Sequence, residues 1–231
     1  MSLSEAALQA LHMLLEGDPA LWGIIHVSLR VCFFAMVLAT PPAVALAFLL
    51  ANFSFPGRRV LVVLVQTLQA LPTVVIGLIV YFILTRNGPL GAHELLFTQG
   101  GMIVGEAMLA FPILAAMTLS ALQGADSRVT ETARTLGAGR LRAAWTLMME
   151  VRFAVMAAIV TGFARVISEV GCAMMIGGNI AGVTRNITTA IALETSKGEF
   201  AQGIALGIVL VAVALVTNAG MALLQGKGGL K

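Results

Sequence analysis

Two stretches of this chain carry residue types that could do chemistry. In the first, Arg165 and Glu169 stand four residues apart within an otherwise oily run, FARVISEV. That spacing puts both on one face of a helix, where guanidinium and carboxylate can pair. A charge at the centre of a bilayer costs about 2.5 to 3.5 kcal/mol on insertion scales, so such groups pair and turn to a bundle interior or a water-filled path. The pair therefore either locks helix packing or, with Ser168, lines or gates a polar route. Glu106, the one acid of another apolar run, could join it. The second stretch is a polar island from Asp126 to Glu150. Arg128, Arg134, Arg140, Arg142 and, just beyond, Arg152 gather there with Glu131 and Glu150. Its pattern is helix, glycine, helix. Asp126 or Ser127 can cap the first helix, Gly137 and Gly139 interrupt, and a second helix follows from about Leu141. Such a hairpin, standing in water beside a membrane, is suited to docking on a soluble partner.

Other chemistry finds no footing. No phosphate-cradling G-x-x-x-x-G-K-[ST] is present, and no H-E-x-x-H, C-x-x-C or G-x-S-x-G. The chain is therefore expected not to be an enzyme and to hold no cofactor of its own. His12, His26 and His93 are scattered, so no metal site is expected. Cys32 and Cys172 lie in apolar spans and read as small hydrophobes.

The elements that must position these residues are membrane helices. Of the 231 residues, 59% are hydrophobic and 11% charged, and the mean hydropathy is +0.97. A soluble domain carries about 25% charged residues, so this chain reads as an all-α integral membrane protein. The formal charge of +3 gives no reason to invoke nucleic acid. Residues 1–20 read as an N-terminal amphipathic segment in the interface, with Ser2 and Glu5 at capping-box spacing. No Lys or Arg precedes Arg30, so no cleavable signal peptide is expected. The transmembrane domain covers 21–224. Its five spans lie at about 21–52 (kinked at Pro41 and Pro42), 60–84 (with Pro72 inside), 102–122 (with Pro112), 153–176 and 200–224, and the cytoplasmic loop at 125–150. Residues 180–199 read as a polar loop. With five spans, one side holds Arg58, Arg59, Arg128, Arg134, Arg140, Arg142, Arg152, Lys227 and Lys231, and the other only Arg86, Arg185 and Lys197. That imbalance puts the N-terminus outside and the C-terminus and the hairpin in the cytoplasm.

The hairpin resembles the cytoplasmic loop of ABC-importer permeases, whose pattern is E-A-A, three residues, G, nine residues and I-x-L-P. Here Glu131-Thr132-Ala133 is followed at the right distance by Gly137, then Leu147 and Met149, with Glu150 where the pattern has proline. Leu71-Pro72-Thr73 through Gly77, Arg86-Asn87-Gly88-Pro89-Leu90-Gly91, and Phe163-Ala164-Arg165 through Ser168-Glu169-Val170-Gly171 resemble the molybdate/tungstate branch. The run from Met174 to Asn179, with Thr188 to Phe200, is most similar to the tungstate type.

The resemblance implies a type I importer permease fold in the inner membrane. It implies a homodimer, an ATPase dimer on the cytoplasmic side and an extracytoplasmic oxyanion-binding protein. Glu131, Thr132, Ala133, Arg134, Gly137 and Arg140 would couple to the ATPase, and Arg185 and Lys197 would meet the binding protein. An ion-coupled secondary transporter or channel, using Arg165, Glu169 and Glu106 as a relay, is the alternative from another class. Inverted repeats would favour it, and none is evident.

Overall fold

The computed structural model describes His12 and residues 15–225, and these contain no strand. The interfacial segment expected over 1–20 falls mostly outside the described residues, as do Lys227 and Lys231. Helix α1 (Pro19–Asn52) opens with proline in its first turn and Asp18 as its cap, the Asp18 carboxylate accepting from Ala20 N at 2.9 Å. It runs unbroken through Pro41 and Pro42 for 34 residues, about 51 Å at 1.5 Å per residue. That exceeds the roughly 30 Å hydrocarbon layer, so both of its ends reach the interfaces.

Two expected spans are each broken into two helices. Residues 60–84 do not form one continuous helix. They fold as α2 (Arg58–Leu68) and α3 (Thr73–Leu84), bent by 106°. Pro72 has no N–H and pushes Leu71 out of helical geometry, which ends α2 before it and lets α3 begin after it. Residues 153–176 fold as α7 (Arg152–Ile167) and the short α8 (Gly171–Gly177), separated by Ser168, Glu169 and Val170. Between these lie α4 (Gln99–Gln123), α5 (Ser127–Thr135) and α6 (Arg140–Glu150), with a 60° bend between α6 and α7. The expected polar loop at 180–199 is also corrected. Residues Ile187–Lys197 form helix α9, and α10 (Phe200–Gln225) follows. Asn186 starts α9 by a reciprocal capping pair with Thr189. Among the described residues, three helices (α1, α4, α10) are long and apolar enough to cross a membrane alone, and five spans result if the bent pairs α2–α3 and α6–α7 each count as one.

The core lies where α1 runs along α4. Ala35, Ala39, Ala43 and Ala47 are all buried on one face of α1, four residues apart. Small side chains at that spacing let two membrane helices approach closely and gain dispersion contacts, which stand in for a hydrophobic driving force inside lipid. Leu109, Leu114, Leu119 and Leu122 of α4 are buried in the same core. Phe33, Phe34, Val37 and Leu38 stay exposed on the outer side of α1, as lipid or a neighbouring subunit requires. α8 packs against both α3 and α4. Gly105 of α4 makes that approach possible, because a Cβ there would overlap Ile176 Cδ1 and come within 3.1 Å of Cys172 Sγ. Gly105→Val is expected to cost about 1 to 3 kcal/mol by overpacking, read as a lowered melting temperature of the purified protein in detergent. Gly203→Ala serves as the control, since its Cβ would meet only Thr195 Oγ1 at 3.6 Å, and it is expected to melt at or slightly above the wild-type temperature.

Candidate functional site: a surface hairpin and an intramembrane polar knot

The hairpin forms as the sequence pattern indicates. Asp126 caps α5, its carboxylate accepting from Arg128 N at 2.9 Å. Gly137 ends the turn at φ +87°, with nothing within 4 Å of where a Cβ would sit. Glycine is needed there for its backbone conformation, not for space. The amides of Gly137 and Ala138 close the turn on the carbonyls of Arg134 and Ala133, both at 2.9 Å. α6 buries Ala143, Ala144 and Leu147 against the bundle. Its opposite face presents Leu141, Trp145 and Met149, one helical turn apart, and the turn adds Leu136 at 83% exposure. A hollow of about 640 Å³ between the two helices is lined by Arg128, Thr132, Ala133, Leu136, Gly137 and Arg142 among others.

Arg140 is partly committed elsewhere. Its guanidinium lies 5.6 Å from the Phe53 ring centroid and so fastens the hairpin to the end of α1. Arg152 is likewise turned to Phe153, at 4.7 Å. Among the described residues Glu131, Arg128, Arg134 and Arg142 form no ion pair. The hairpin thus offers apolar anchors ringed by uncommitted charge, the composition of a protein-docking surface.

The second constellation sits at the α7–α8 break. Arg165 Nη1 donates to Glu169 Oε2 at 3.0 Å, and Glu169 Oε1 accepts from the amides of Gly171 and Cys172 at 2.9 and 3.3 Å. The Glu169 carbonyl accepts from Thr188 Oγ1 at 2.7 Å, and Ser28 Oγ accepts from Ile187 N at 2.7 Å. Glu169 therefore joins α7, α8 and the start of α9, and Ser28 ties α9 to α1. A break inside lipid exposes backbone donors that no water can serve, and the carboxylate serves those of α8. The two partners differ in setting. The Glu169 side chain is 4% exposed and that of Arg165 45%. Thr161, Arg165 and Ser168 share the exposed face of α7. Glu106 is buried and makes no hydrogen bond to this knot. Its Oε2 accepts from Cys32 Sγ at 3.7 Å, and its Oε1 has no partner.

Arg185 and Lys197 differ in setting. Lys197 donates to Glu194 within α9 at 3.1 Å. Arg185 lies before α9 and is half-buried, with its Nε buried and unpartnered.

The family described as the binding-protein-dependent transport system inner membrane component matches residues 43–227. This chain belongs to that family. The permease is 36% identical to the tungstate uptake system permease protein TupB of Peptoclostridium acidaminophilum over 217 residues, covering 94% of this chain and 95% of that one. It is 38% identical to the TupB protein of Campylobacter jejuni over 210 residues, covering 91% and 88%. Its fold matches a solved amino acid ABC transporter with a TM-score of 0.69 at 16% identity, over 92% of this chain and 95% of that one. The permease is thus the membrane component of an ABC importer, and the ion-coupled alternative gives way to that assignment.

Reasoning from sequence missed the apolar stripe of Leu136, Leu141 and Trp145. Its signal was present in the spacing of 141, 145 and 149, but an oily chain masks an oily docking face. The capping role of Glu169 was legible only in retrospect, as an acid two residues before Gly171 at a helix break. Replacing Glu169 with alanine removes a charged pair and a helix cap, and is expected to cost about 2 to 3 kcal/mol. Glu169→Gln is expected to recover part of this, because its amide oxygen still accepts from Gly171 and Cys172. Melting of the two variants in detergent checks the order.

Proposed function

We propose that the permease forms the translocation path for a tetrahedral oxyanion, tungstate first and molybdate second, and takes its mechanical work from a separate ATPase docked on the α5–α6 hairpin. The observation that carries this reading is the hairpin surface. Trp145, Leu141 and Leu136 stand exposed beside the E-T-A and Gly137 positions, on the end of the bundle that bears most of the basic residues. Placing that end in the cytoplasm puts the N-terminus outside and follows the distribution of Lys and Arg. Two copies of the chain enclose the path. The exposed face of α7 with Thr161, Arg165 and Ser168 suits its lining, because an arginine half-exposed at that depth cannot face lipid cheaply.

The mechanism follows from how the hairpin is bracketed. α4 enters it and α6 leads directly into α7. When ATP closes the ATPase dimer, the hairpin moves with it. α7, about 24 Å long at 1.5 Å per residue, carries the displacement to the knot at its far end. The tetrahedral dianion is passed along by donors without deep trapping, since transport needs binding weak enough to release. An oxyanion-binding protein delivers the cargo at the opposite face, with Arg185 and Lys197 in its landing zone. The tungstate preference rests on the relatives named above.

Co-purification and uptake test the coupling role. Trp145→Ala is expected to lower ATPase retention by on the order of tenfold or more, as loss of a central aromatic anchor does. Glu131→Arg and Gly137→Val are expected to uncouple or detach the ATPase while the permease still inserts. Unchanged ATP-driven tungstate uptake in all three would refute it. Arg165→Ala is expected to impair transport or assembly, and a stable, fully active variant would remove any role for the mid-span guanidinium.

A further inference from the structure

The end of the bundle farthest from the hairpin holds a cavity of about 290 Å³. Its walls include Ala20, Gly23 and Val27 of α1, Gly182 of the following turn, Gln202 of α10, and Arg185. Arg185 is the one charged side chain among the lining residues, and Gln202 is the one other side chain there that can hydrogen-bond. The small residues leave open space beside the guanidinium. Arg185 makes no ion pair among the described residues, and its Nε is buried without an acceptor.

Two acids on the elements around the cavity are engaged, and Glu199, one turn before Gln202, is exposed. Asp18 caps α1 through Ala20 N, and Glu194 is paired with Lys197. The planar fork of an arginine matches an oxyanion's edge, and the Gln202 amide offers a neutral donor from a second wall. No carboxylate lines the cavity to repel an anion.

We infer that this cavity is the receiving site for the free oxyanion at the outer mouth, with Arg185 as the charged donor and Gln202 as the neutral one. The inference rests on the oxyanion-import reading and adds a station to it. One guanidinium and one amide hold a dianion loosely, as a relay site requires.

Retention of labelled tungstate by the purified permease–ATPase complex, measured by equilibrium dialysis without any binding protein, tests this. Wild type is expected to retain the anion, and Arg185→Gln to bind it about tenfold more weakly or worse, the scale of one charge-assisted hydrogen bond. Gln202→Leu is expected to weaken it less. ATPase co-purification, unchanged in both variants, shows that they are folded. No retention by wild type, or equal retention by wild type and Arg185→Gln, overturns the site. Intact retention with loosened association of the binding protein also overturns it, because Arg185 would then serve a docking carboxylate. Wild-type uptake measured in parallel separates the two ideas. Absent oxyanion uptake sinks the import reading, whereas normal uptake with indifferent retention sinks only the cavity.

Discussion

A polypeptide inside lipid must satisfy every backbone donor and acceptor from within itself. This permease breaks two of its spans, and at one break a side chain supplies the missing partners. At the α7–α8 break, the Glu169 carboxylate bonds the first amides of α8 and an arginine one turn back, while its carbonyl takes the Thr188 hydroxyl. Everything near the break is arranged around that group. Gly171 is small enough to let α3 approach, since a Cβ there would lie 2.9 Å from Val74 Cγ2 and 3.4 Å from Glu169 Oε1.

The same arrangement links the knot to the water-facing hairpin. α6 joins α7 through a single residue, Val151, and the bend there is 60°. Arg140 leans on Phe53 at the end of α1, and α1 in turn is packed along α4 through its alanine face. The hairpin is thus attached at both ends to long helices and stiffened from the side. Force applied to it has rigid elements to travel through. The exposed part of the knot, the Arg165 guanidinium, lies at the far end of one of them.

The fold class and the helix–glycine–helix pattern of the hairpin were legible in the sequence, because each rests on a local signal: runs of apolar residues, an island of arginines, Asp126 before a helix and Gly137 after it. The interruptions were less legible. Pro72 lies inside an apolar run that reads as one span, and proline within a membrane helix is compatible with either a kink or a break. Nothing around Ser168 announces one, because the cap that stabilises it is a side chain which also reads as half of an i, i+4 ion pair. The α9 segment reads from sequence as a loop on account of its polar residues, although Asn186 and Thr189 carry a helix-start signal. The different settings of Arg185 and Lys197 are not legible either. Sequence cannot show that Lys197 has a partner three residues back while Arg185 faces a cavity.

The central claim is that the α5–α6 hairpin stands in the cytoplasm and is covered there by an ATPase. Cys32 and Cys172 are both buried, so a single cysteine placed at Trp145 can be labelled against a low background. A membrane-impermeant maleimide should leave Trp145→Cys unmodified in intact cells, modify it in inverted vesicles stripped of the ATPase, and be blocked when the ATPase is restored. Modification from outside intact cells, or labelling indifferent to the ATPase, would contradict the account.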